Sequence, residues 1–172
     1  MAYLVRDTAQ RLYVLKAVEM DAGREVQLMQ LARHQHIIRF RDAFQEQAGG
    51  RDALVACGQG LWAIVMDYAA DGDLMARIEA ATGGQIIEEQ QLLRWFTQAM
   101  KGLRHMHGLY IIHRDLKSEN LFLHSEQLRI GDFGLAIRLE KVMQIHVEQQ
   151  IVGTSGSRTL AFKRIQKDSK GI

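Results

Sequence analysis

The chain has 172 residues, of which 47% are apolar and 24% charged, and its formal net charge is +2 at pH 7. These values are ordinary for a soluble globular protein, and the mild charge argues neither for a nucleic-acid partner nor for a membrane partner. No apolar stretch reaches the roughly 18 residues of a membrane span, and the N-terminus lacks a signal-peptide pattern. The single cysteine, Cys57, excludes an internal disulfide, and we interpret it as a small apolar residue.

Two apolar runs at the N-terminus predict a β-hairpin. The runs Ala2 to Val5 and Leu12 to Val18 are separated by a polar segment that favours a turn. Lys16 lies within the second run, where a cation on an apolar strand needs an anionic partner. An exposed lysine on an edge strand is the simpler alternative.

The following segments predict a helix and two further strands. Apolar residues recur near helical spacing from Ala22 to Arg33, and Glu25 lies among them. The segment Ile37 to Phe44 predicts a strand, and Gln45 to Asp52, with two adjacent glycines, predicts a turn. The continuous apolar run from Leu61 to Tyr68 predicts a buried strand.

The clearest helix runs from Glu88 to His107. Its apolar residues recur at three- and four-residue steps, which predicts one buried stripe. The stripe consists of Leu92, Phe96, Ala99, Met100, Leu103 and Met106. Because His105 and His107 are two positions apart on this helix, they do not face each other, and we do not expect a zinc site there.

A cluster of charged residues lies between apolar runs after this helix. It reads Ile111-Ile112-His113-Arg114-Asp115-Leu116-Lys117-Ser118-Glu119-Asn120-Leu121-Phe122-Leu123. A second element, Gly131-Asp132-Phe133-Gly134, follows a short apolar strand, and its last glycine is expected to let the backbone turn. So many charges are costly to hold in a folded interior unless each has a partner, so the cluster indicates a functional site. Two carboxylates and an amide oxygen suit Mg²⁺ carrying a phosphate substrate.

These two elements resemble the catalytic loop and the metal-binding loop of protein kinases, H-R-D-x-x-x-x-N and D-F-G. Three segments look most like NIMA-related serine/threonine kinases: Trp95-Phe96 before the first loop, Lys117 to Leu123 within it, and Gly131 to Ala136 after it. The resemblance implies an α+β, protein kinase-like bilobal fold, truncated at both ends. A small β-rich lobe would span residues 1–68, and the start of a helical lobe would span residues 69–154.

The resemblance also implies a role for each charged residue of the two loops. Asp115 would be the general base, and Lys117 would neutralise the transferred phosphoryl group. Asn120 and Asp132 would hold Mg²⁺. Outside the loops, Lys16 would bind the α- and β-phosphates of ATP.

Further residues would complete the nucleotide site. Glu25 would hold the amine of Lys16 in place. Backbone groups from Asp67 to Ala69 would bind the edge of adenine, Asp73 would meet the ribose, and Phe122 would lie in a strand beneath the base. Met66 would lie at the entrance to the pocket behind the adenine.

Two other loop residues have structural or regulatory roles in the same resemblance. His113 would pack against Phe133 and would not act as an acid or base. Arg114 would pair with a phosphorylated residue of the activation segment.

The chain departs from the kinase pattern at three places. The glycine-rich loop that should precede the hairpin is missing, so we expect either a truncated start or a protein without a phosphate lid. Nine residues separate Lys16 from Glu25, which is short for the family and predicts a shortened helix. Beyond Gly153-Thr154, residues 155–172 form an off-pattern basic tail that we interpret as disordered, or as a frame-shifted or alternatively spliced end.

The sequence is compatible with two functions. The first is a serine/threonine kinase that uses ATP and Mg²⁺ to phosphorylate a protein substrate. The second is a catalytically impaired fragment or pseudokinase that acts by protein binding, because the missing helices would leave the apolar stripe partly uncovered. The default location is cytoplasmic, with association to cytoskeleton, centrosome or cilium allowed by the resemblance. Neither a membrane nor a nucleic acid is expected as a partner, and the oligomeric state is not predicted.

Overall fold

The computed structural model describes residues 1–18, 22–46 and 61–139. Residues Met1–Arg138 form one compact unit. Within the described ranges, no helix is both long enough and apolar enough to cross a membrane. The interpretations of Cys57, of the turn beyond Glu46 and of the basic tail lie outside the described residues, and the proposed domain boundaries stay predictions.

A four-stranded antiparallel sheet organises the N-terminal part of the unit. Its strands are β1 (Ala2–Arg6), β2 (Leu12–Val18), β3 (Phe40–Glu46) and β4 (Leu61–Asp67), in the spatial order β1-β2-β4-β3. Strands β1 and β2 form the predicted hairpin. Lys16 pairs with Ala2 on one side and with Ile64 on the other, so it lies on an inner strand. This position excludes the alternative of a lysine on an edge strand.

Two smaller antiparallel sheets follow the helices. Strand β5 (Ile111–Ile112) pairs with β8 (Ile137–Arg138), and β6 (Leu121–His124) pairs with β7 (Gln127–Ile130). A short 3-10 helix, Ser118–Asn120, leads directly into β6. The β6–β7 hairpin therefore joins the loop from His113 to Asn120 to the segment around Asp132.

Strand β3 begins three residues later than predicted. Ile37 forms a parallel bridge with Ile130 of β7, and the N–H of Ile38 donates to the Ile130 carbonyl at 2.8 Å. Both isoleucines are buried, so this segment packs in the core against β7 before the chain enters the four-stranded sheet. At the other end, β3 includes Gln45 and Glu46, where the sequence predicts a turn.

Helix α1 (Gly23–Leu31) is short, in agreement with the spacing between Lys16 and Glu25. It has no side-chain cap at its N-terminus. The helix buries Val26, Leu28 and Met29 in the main core. Glu25 is only 7% exposed, so the first turn carries a carboxylate into the interior.

Two more helices complete the unit. Helix α2 (Leu74–Thr82) begins after Asp73, whose carboxylate accepts the N–H of Ala76 at 2.8 Å and caps the first turn. Helix α3 spans Glu89–Gly108 and confirms the predicted helix within one residue at each end. Its contacts with β5 and β7 place it beneath both small sheets.

The buried face of α3 lies beside the predicted stripe. Within the stripe, Ala99 and Met106 are buried, but Leu92, Phe96 and Met100 are 45%, 62% and 41% exposed. Leu103 packs against the main core as well, so the stripe was right for three of its six residues and wrong for the other three. Trp95 and Gly102, which lie outside it, are buried instead. A Cβ at Gly102 would lie 2.9 Å from the His36 carbonyl and from Ile130 Cδ1, so close backbone packing selects glycine there.

Candidate active site

A lysine and two carboxylates from three separate elements meet at one side of the sheet. Nζ of Lys16, on β2, lies 2.8 Å from Oε1 of Glu25 on α1 and 2.7 Å from Oδ1 of Asp132 after β7. The three side chains line a cavity of about 350 Å³. The structure thus brings together the predicted phosphate-binding lysine, its predicted partner and one predicted metal ligand.

The charges of this triad stabilise one another. Burial opposes a positive charge on Lys16, but the hydrogen bonds to Asp132 and Glu25 outweigh it, and the pKa of Lys16 is raised. Burial likewise opposes the charge on Asp132, but its hydrogen bond and attraction to Lys16 dominate, and the pKa of Asp132 is lowered. At neutral pH the site therefore holds an ammonium group and an ionised Asp132 in contact.

Asp132 itself, rather than the glycine after it, makes the sharp backbone turn. Its φ is 58°, in the left-handed region, whereas Gly134 has no positive φ. The N–H of Gly134 instead donates to Oδ1 of Asp132 at 3.3 Å. The prediction that Gly134 supplies the unusual backbone conformation was wrong. An aspartate residue can adopt the left-handed conformation because its short side chain forms hydrogen bonds with the nearby backbone.

The residues of the loop from His113 to Asn120 form a second cluster of contacts. Asn120 is 6% exposed, and its Nδ2 donates to the Asp115 carbonyl at 2.8 Å and to Asp115 Oδ2 at 3.0 Å. Nζ of Lys117 lies 3.2 Å from the same Oδ2, and hydrogen bonding to Asp115 raises the pKa of Lys117. These contacts hold Oδ2 of Asp115, while its Oδ1 makes no hydrogen bond with the described residues.

One backbone hydrogen bond links the two loops. The N–H of Gly131 donates to the Asn120 carbonyl at 2.9 Å, so the residue before Asp132 is tied to the last residue of the 3-10 helix. Asp132 also contributes to raising the pKa of Lys117, as expected for charges on neighbouring loops. Asp115, Asn120 and Asp132 are therefore joined through short, local connections.

His113 packs beneath the loops, as predicted. It is 3% exposed, and its ring meets that of Phe133 edge-on with centroids 5.5 Å apart. Nε2 lies 2.8 Å from the Gly131 carbonyl, and the N–H of Asp115 donates to Nδ1 at 3.4 Å. The tautomer with the proton on Nε2 satisfies both contacts, so the imidazole connects the two loops.

Arg114 lies at the outer side of the same loop. Its Nε donates to the Leu135 carbonyl at 2.6 Å, and its own φ is 66°. The guanidinium is therefore anchored to the segment after Phe133. Its pairing with a phosphorylated residue stays a prediction.

The segment predicted to bind adenine lies at the end of β4. The N–H of Asp67 donates to the Arg39 carbonyl at 3.0 Å, which engages this donor within the protein. The Asp67 carboxylate pairs with Arg41 and, at 3.5 Å, with Arg129. An adenine contact in this segment is therefore confined to the remaining backbone groups between Asp67 and Ala69.

The other predicted nucleotide residues lie close to this segment. Asp73 caps α2 with one oxygen and forms an antiparallel bridge with Phe122, which places β6 directly below the chain after β4. The ring of Phe122 lies against Gly131, where a Cβ would come within 2.6 Å of its Cε2. Met66 is partly buried against the main core. The contacts of these residues with a nucleotide stay predictions.

Two oxygens at the junction of the loops suit a hard cation. Nδ2 of Asn120 and Oδ1 of Asp132 are engaged, but Oδ1 of Asn120 and Oδ2 of Asp132 make no hydrogen bond with the described residues. Amide and carboxylate oxygens are ligands that Mg²⁺ accepts, together with phosphate and water. The residues present therefore fit Mg²⁺ with a phosphate substrate.

Four residues of the cavity were missed by the sequence reasoning, and two of them, Val18 and Ala22, are apolar. The other two are Arg24 and Leu135. Arg24 is a charged residue in the first turn of α1, where such residues are common. Leu135 comes directly after the motif Asp132-Phe133-Gly134 and is not part of it. No spacing or motif singles out either residue, since their positions depend on how α1 approaches the segment after β7.

Comparisons with known proteins agree with this geometry. A family model described as protein kinase domain matches residues 6–159. Serine/threonine-protein kinase Nek1 of Mus musculus is 34% identical over 155 residues, which cover 84% of this chain and 12% of that protein. Serine/threonine-protein kinase Nek5 of Homo sapiens is 37% identical over 130 residues, which cover 74% of this chain and 16% of that protein.

Serine/threonine-protein kinase Nek3 of Mus musculus is 34% identical over 131 residues, which cover 76% of this chain and 23% of that protein. The chain thus spans between 12% and 23% of the length of these three curated relatives. The matched region contains the triad of Lys16, Glu25 and Asp132 as well as the loop from His113 to Asn120. The chain belongs to the protein kinase family, and the three relatives described above are NIMA-related serine/threonine kinases.

Proposed function

We propose that the chain transfers the γ-phosphoryl group of ATP to a serine or threonine hydroxyl of a protein, with Asp115 as general base. The observation that carries this proposal is the joint contact of Lys16 with Glu25 and Asp132. The contact fixes a cation next to a carboxylate whose second oxygen is not engaged by the described residues. That pairing suits phosphate oxygens together with a divalent cation.

Each residue has a defined part in the proposed step. The substrate hydroxyl oxygen forms a bond to the γ-phosphorus while the bond from that phosphorus to the β–γ bridging oxygen breaks. Asp115 accepts the hydroxyl proton on Oδ1, and ADP leaves with the bridging oxygen. Lys117 places positive charge next to Asp115, where the transferred group carries negative charge.

The remaining residues position the reactants. Asn120 and Asp132 would hold Mg²⁺, which supplies positive charge to the phosphate oxygens when bound. Asn120 also orients the Asp115 carboxylate through its Nδ2, so one side chain would serve both the base and the metal. Lys16, held by Glu25, is the ligand for the non-transferred phosphates.

The test is the substitution Asp115→Asn. We expect phosphoryl transfer to a serine-containing peptide to fall about 10²- to 10⁴-fold, because general-base help of this size is lost. Binding of Mg-ATP, measured as thermal stabilisation of the full chain, should be unchanged, since Asp115 would not contact the nucleotide. Asp42→Asn, an exposed substitution on β3, is the matched control and should alter neither quantity.

Two results would contradict the proposal. Unchanged transfer by the Asp115→Asn variant would exclude Asp115 as the base. An absence of any Mg-ATP-dependent stabilisation of the wild-type chain would exclude nucleotide binding by this chain.

A specific observation supports the second candidate function, protein binding by a catalytically impaired kinase-like chain. Leu92, Phe96 and Met100 form an exposed apolar face on α3. Contiguous exposed apolar residues are typical of surfaces that other proteins cover. Wild-type stability without phosphoryl transfer, together with self-association or partner binding that Phe96→Glu abolishes, would favour this candidate.

A further inference from the structure

Three histidine rings pack against one another where the chain between α1 and β3 meets α3. The rings of His34 and His105 are stacked, with centroids 5.0 Å apart and planes at 22°. The ring of His36 lies 5.4 Å from that of His34 and is tilted by 59°. This histidine cluster, His34, His36 and His105, therefore connects two elements that are distant in sequence. The proposed phosphoryl transfer uses none of the three residues.

A hydrogen bond holds His34 in its neutral form. Its Nδ1 accepts the backbone N–H of His36 at 3.1 Å, so the proton of the neutral ring lies on Nε2. A second proton would have to occupy Nδ1, where it would face the N–H group that donates to this nitrogen. Protonation of His34 therefore breaks the hydrogen bond.

The contacts of His36 likewise suit a neutral ring. Nδ1 lies 3.2 Å from the Leu128 carbonyl, which only accepts, so Nδ1 carries the proton. Nε2 lies 3.0 Å from the side-chain amide nitrogen of Gln35, which only donates. Protonation of Nε2 therefore requires this amide to turn over, and it places a charge on a side chain that is 4% exposed.

The charged groups around the histidine cluster oppose its protonation. The cations are Arg33 and Arg39 on the same segment, Lys101 and Arg104 on α3, and Arg129 on β7. The carboxylate of Asp67, at the end of β4, is already paired with Arg41 and Arg129. Among the residues that the structure describes, no carboxylate forms an ion pair with any of the three rings.

The pKa values of His34 and His36 follow from these surroundings. Burial, followed by repulsion from His105, lowers the pKa of His34 below the ordinary 6.5. Burial also lowers the pKa of His36, and the hydrogen bond to the Leu128 carbonyl opposes this effect only in part. The folded chain thus binds these protons less readily than the unfolded chain. Stability is therefore greatest above pH 6.5 and is lost as the pH falls through the folded pKa values.

The segment that carries His34 and His36 is tied to β7 and α3 through its backbone. The N–H of Ile130 donates to the His36 carbonyl at 2.9 Å, and the N–H of Ile38 donates to the Ile130 carbonyl at 2.8 Å. A Cβ at Gly102 would lie 2.9 Å from the His36 carbonyl, so α3 approaches the same backbone closely. A rearrangement of the rings therefore acts on backbone contacts between this segment, β7 and α3.

We propose that the histidine cluster is a pH-sensitive contact, which holds the segment before β3 against α3 and β7 when its rings are neutral and releases it when they are protonated. Two charged rings stacked at 5.0 Å would repel each other. Nε2 of His105 is buried and has no hydrogen-bond partner among the described residues, so no acceptor is in place for an additional proton there. The contact includes neither the nucleotide site nor Asp115, so it is independent of the proposed kinase activity.

Urea unfolding of the full chain as a function of pH measures the effect. We expect the unfolding equilibrium constant to rise about fivefold or more as the pH falls from about 7.5 to about 5.5, since each proton taken up on unfolding changes it by up to about tenfold per pH unit. Hydrogen exchange locates the effect in the structure. The protection factors of the Ile38 and Ile130 amides should fall over this range by more than those of the β2 amides.

Three variants assign the effect to the cluster. His34→Asn offers an acceptor close to the position of Nδ1 but does not titrate, so the rise in the unfolding constant should shrink to about twofold or less. His107→Gln, an exposed change on α3, is the matched control and should keep the full rise. His105→Phe keeps a ring against His34 and removes the repulsion, so the His34 imidazole signal in NMR should titrate at a higher pH than in wild type. Circular dichroism confirms that each variant is folded, and the wild-type measurements test the contact without any variant.

Four results would each overturn the proposal. They are an unfolding constant that does not change over this pH range, protection at Ile38 and Ile130 that does not fall, an equal rise in the His34→Asn and His107→Gln variants, and an unchanged His34 titration in His105→Phe. None of these readouts depends on phosphoryl transfer or on a nucleotide. A failure here is therefore distinguishable from a failure of the proposed kinase activity.

Discussion

Lys16 and Glu25 form a 2.8 Å ion pair although only nine residues separate them in the sequence. Helix α1 begins at Gly23, so Glu25 lies in its first turn, and its side chain is directed at the strand that carries Lys16. A short helix is sufficient for this contact because the carboxylate lies at its very start. The shortened spacing therefore does not prevent the pair on which the proposed nucleotide site depends.

Replacing Lys16 by methionine should destabilise the fold and weaken nucleotide binding. Glu25, which is 7% exposed, loses its cation, and removing one partner of a buried ion pair costs about 3–5 kcal/mol. We expect urea unfolding to show this loss, and Mg-ATP to give no thermal stabilisation. Lys101→Met, on the exposed surface of α3, should change the free energy of unfolding by less than about 0.5 kcal/mol. Equal stability of the two variants would show that the ion pair contributes nothing.

The stability of the chain should depend on Asp132 at acid pH. Its folded pKa lies below the ordinary value of 3.8, since Lys16 and the Gly134 N–H outweigh the effect of burial. Asp132 thus stabilises the fold above pH 3.8, and this contribution is lost as the pH falls through the folded pKa. Asp132→Asn should therefore lose less stability than wild type between about pH 5 and about pH 3. Urea unfolding over this range measures the difference, and parallel curves for the two proteins would contradict it.

Phe133→Ala should be among the more damaging substitutions in the described part of the chain. The side chain is 1% exposed and packs edge-on against His113, so its removal leaves a cavity below both loops. We expect a loss of about 3–5 kcal/mol in the free energy of unfolding. Phe96→Ala removes the same side chain from a site that is 62% exposed and should cost less than about 0.5 kcal/mol. Similar losses for the two variants in chemical denaturation would show that Phe133 is not a core residue.

Gly131→Ala tests the close packing between the two loops. The added Cβ would lie 2.6 Å from Phe122 Cε2 and 3.1 Å from Ile38 Cγ1, so the ring or the backbone before Asp132 must shift. We expect a loss of about 1–3 kcal/mol together with weaker Mg-ATP binding. Gly108→Ala, where a Cβ meets nothing within 4 Å, should be neutral or slightly stabilising at the end of α3. Normal stability and nucleotide binding in the Gly131 variant would contradict this packing.

The sequence was sufficient for features that depend on neighbours along the chain. Two apolar runs separated by a polar segment predicted the β1–β2 hairpin, and three- and four-residue spacing predicted α3 within one residue at each end. Asp115 and Asn120 are five residues apart, so their contact also forms within one loop. Local backbone geometry determines such features, and a linear pattern records it directly.

The tertiary structure alone decided which surfaces and charges meet. Asp132 contacts Lys16 across 116 residues of sequence, and Ile130 draws Ile37 and Ile38 out of the predicted strand. The buried face of α3 follows from close packing at Gly102, which apolar periodicity does not register. The charged loop from His113 to Asn120 thus identified the chemistry by itself, because its residues are contiguous. The cation that completes the site comes from the inner strand β2, and only the packing of the sheet and α1 against the loops brings it there.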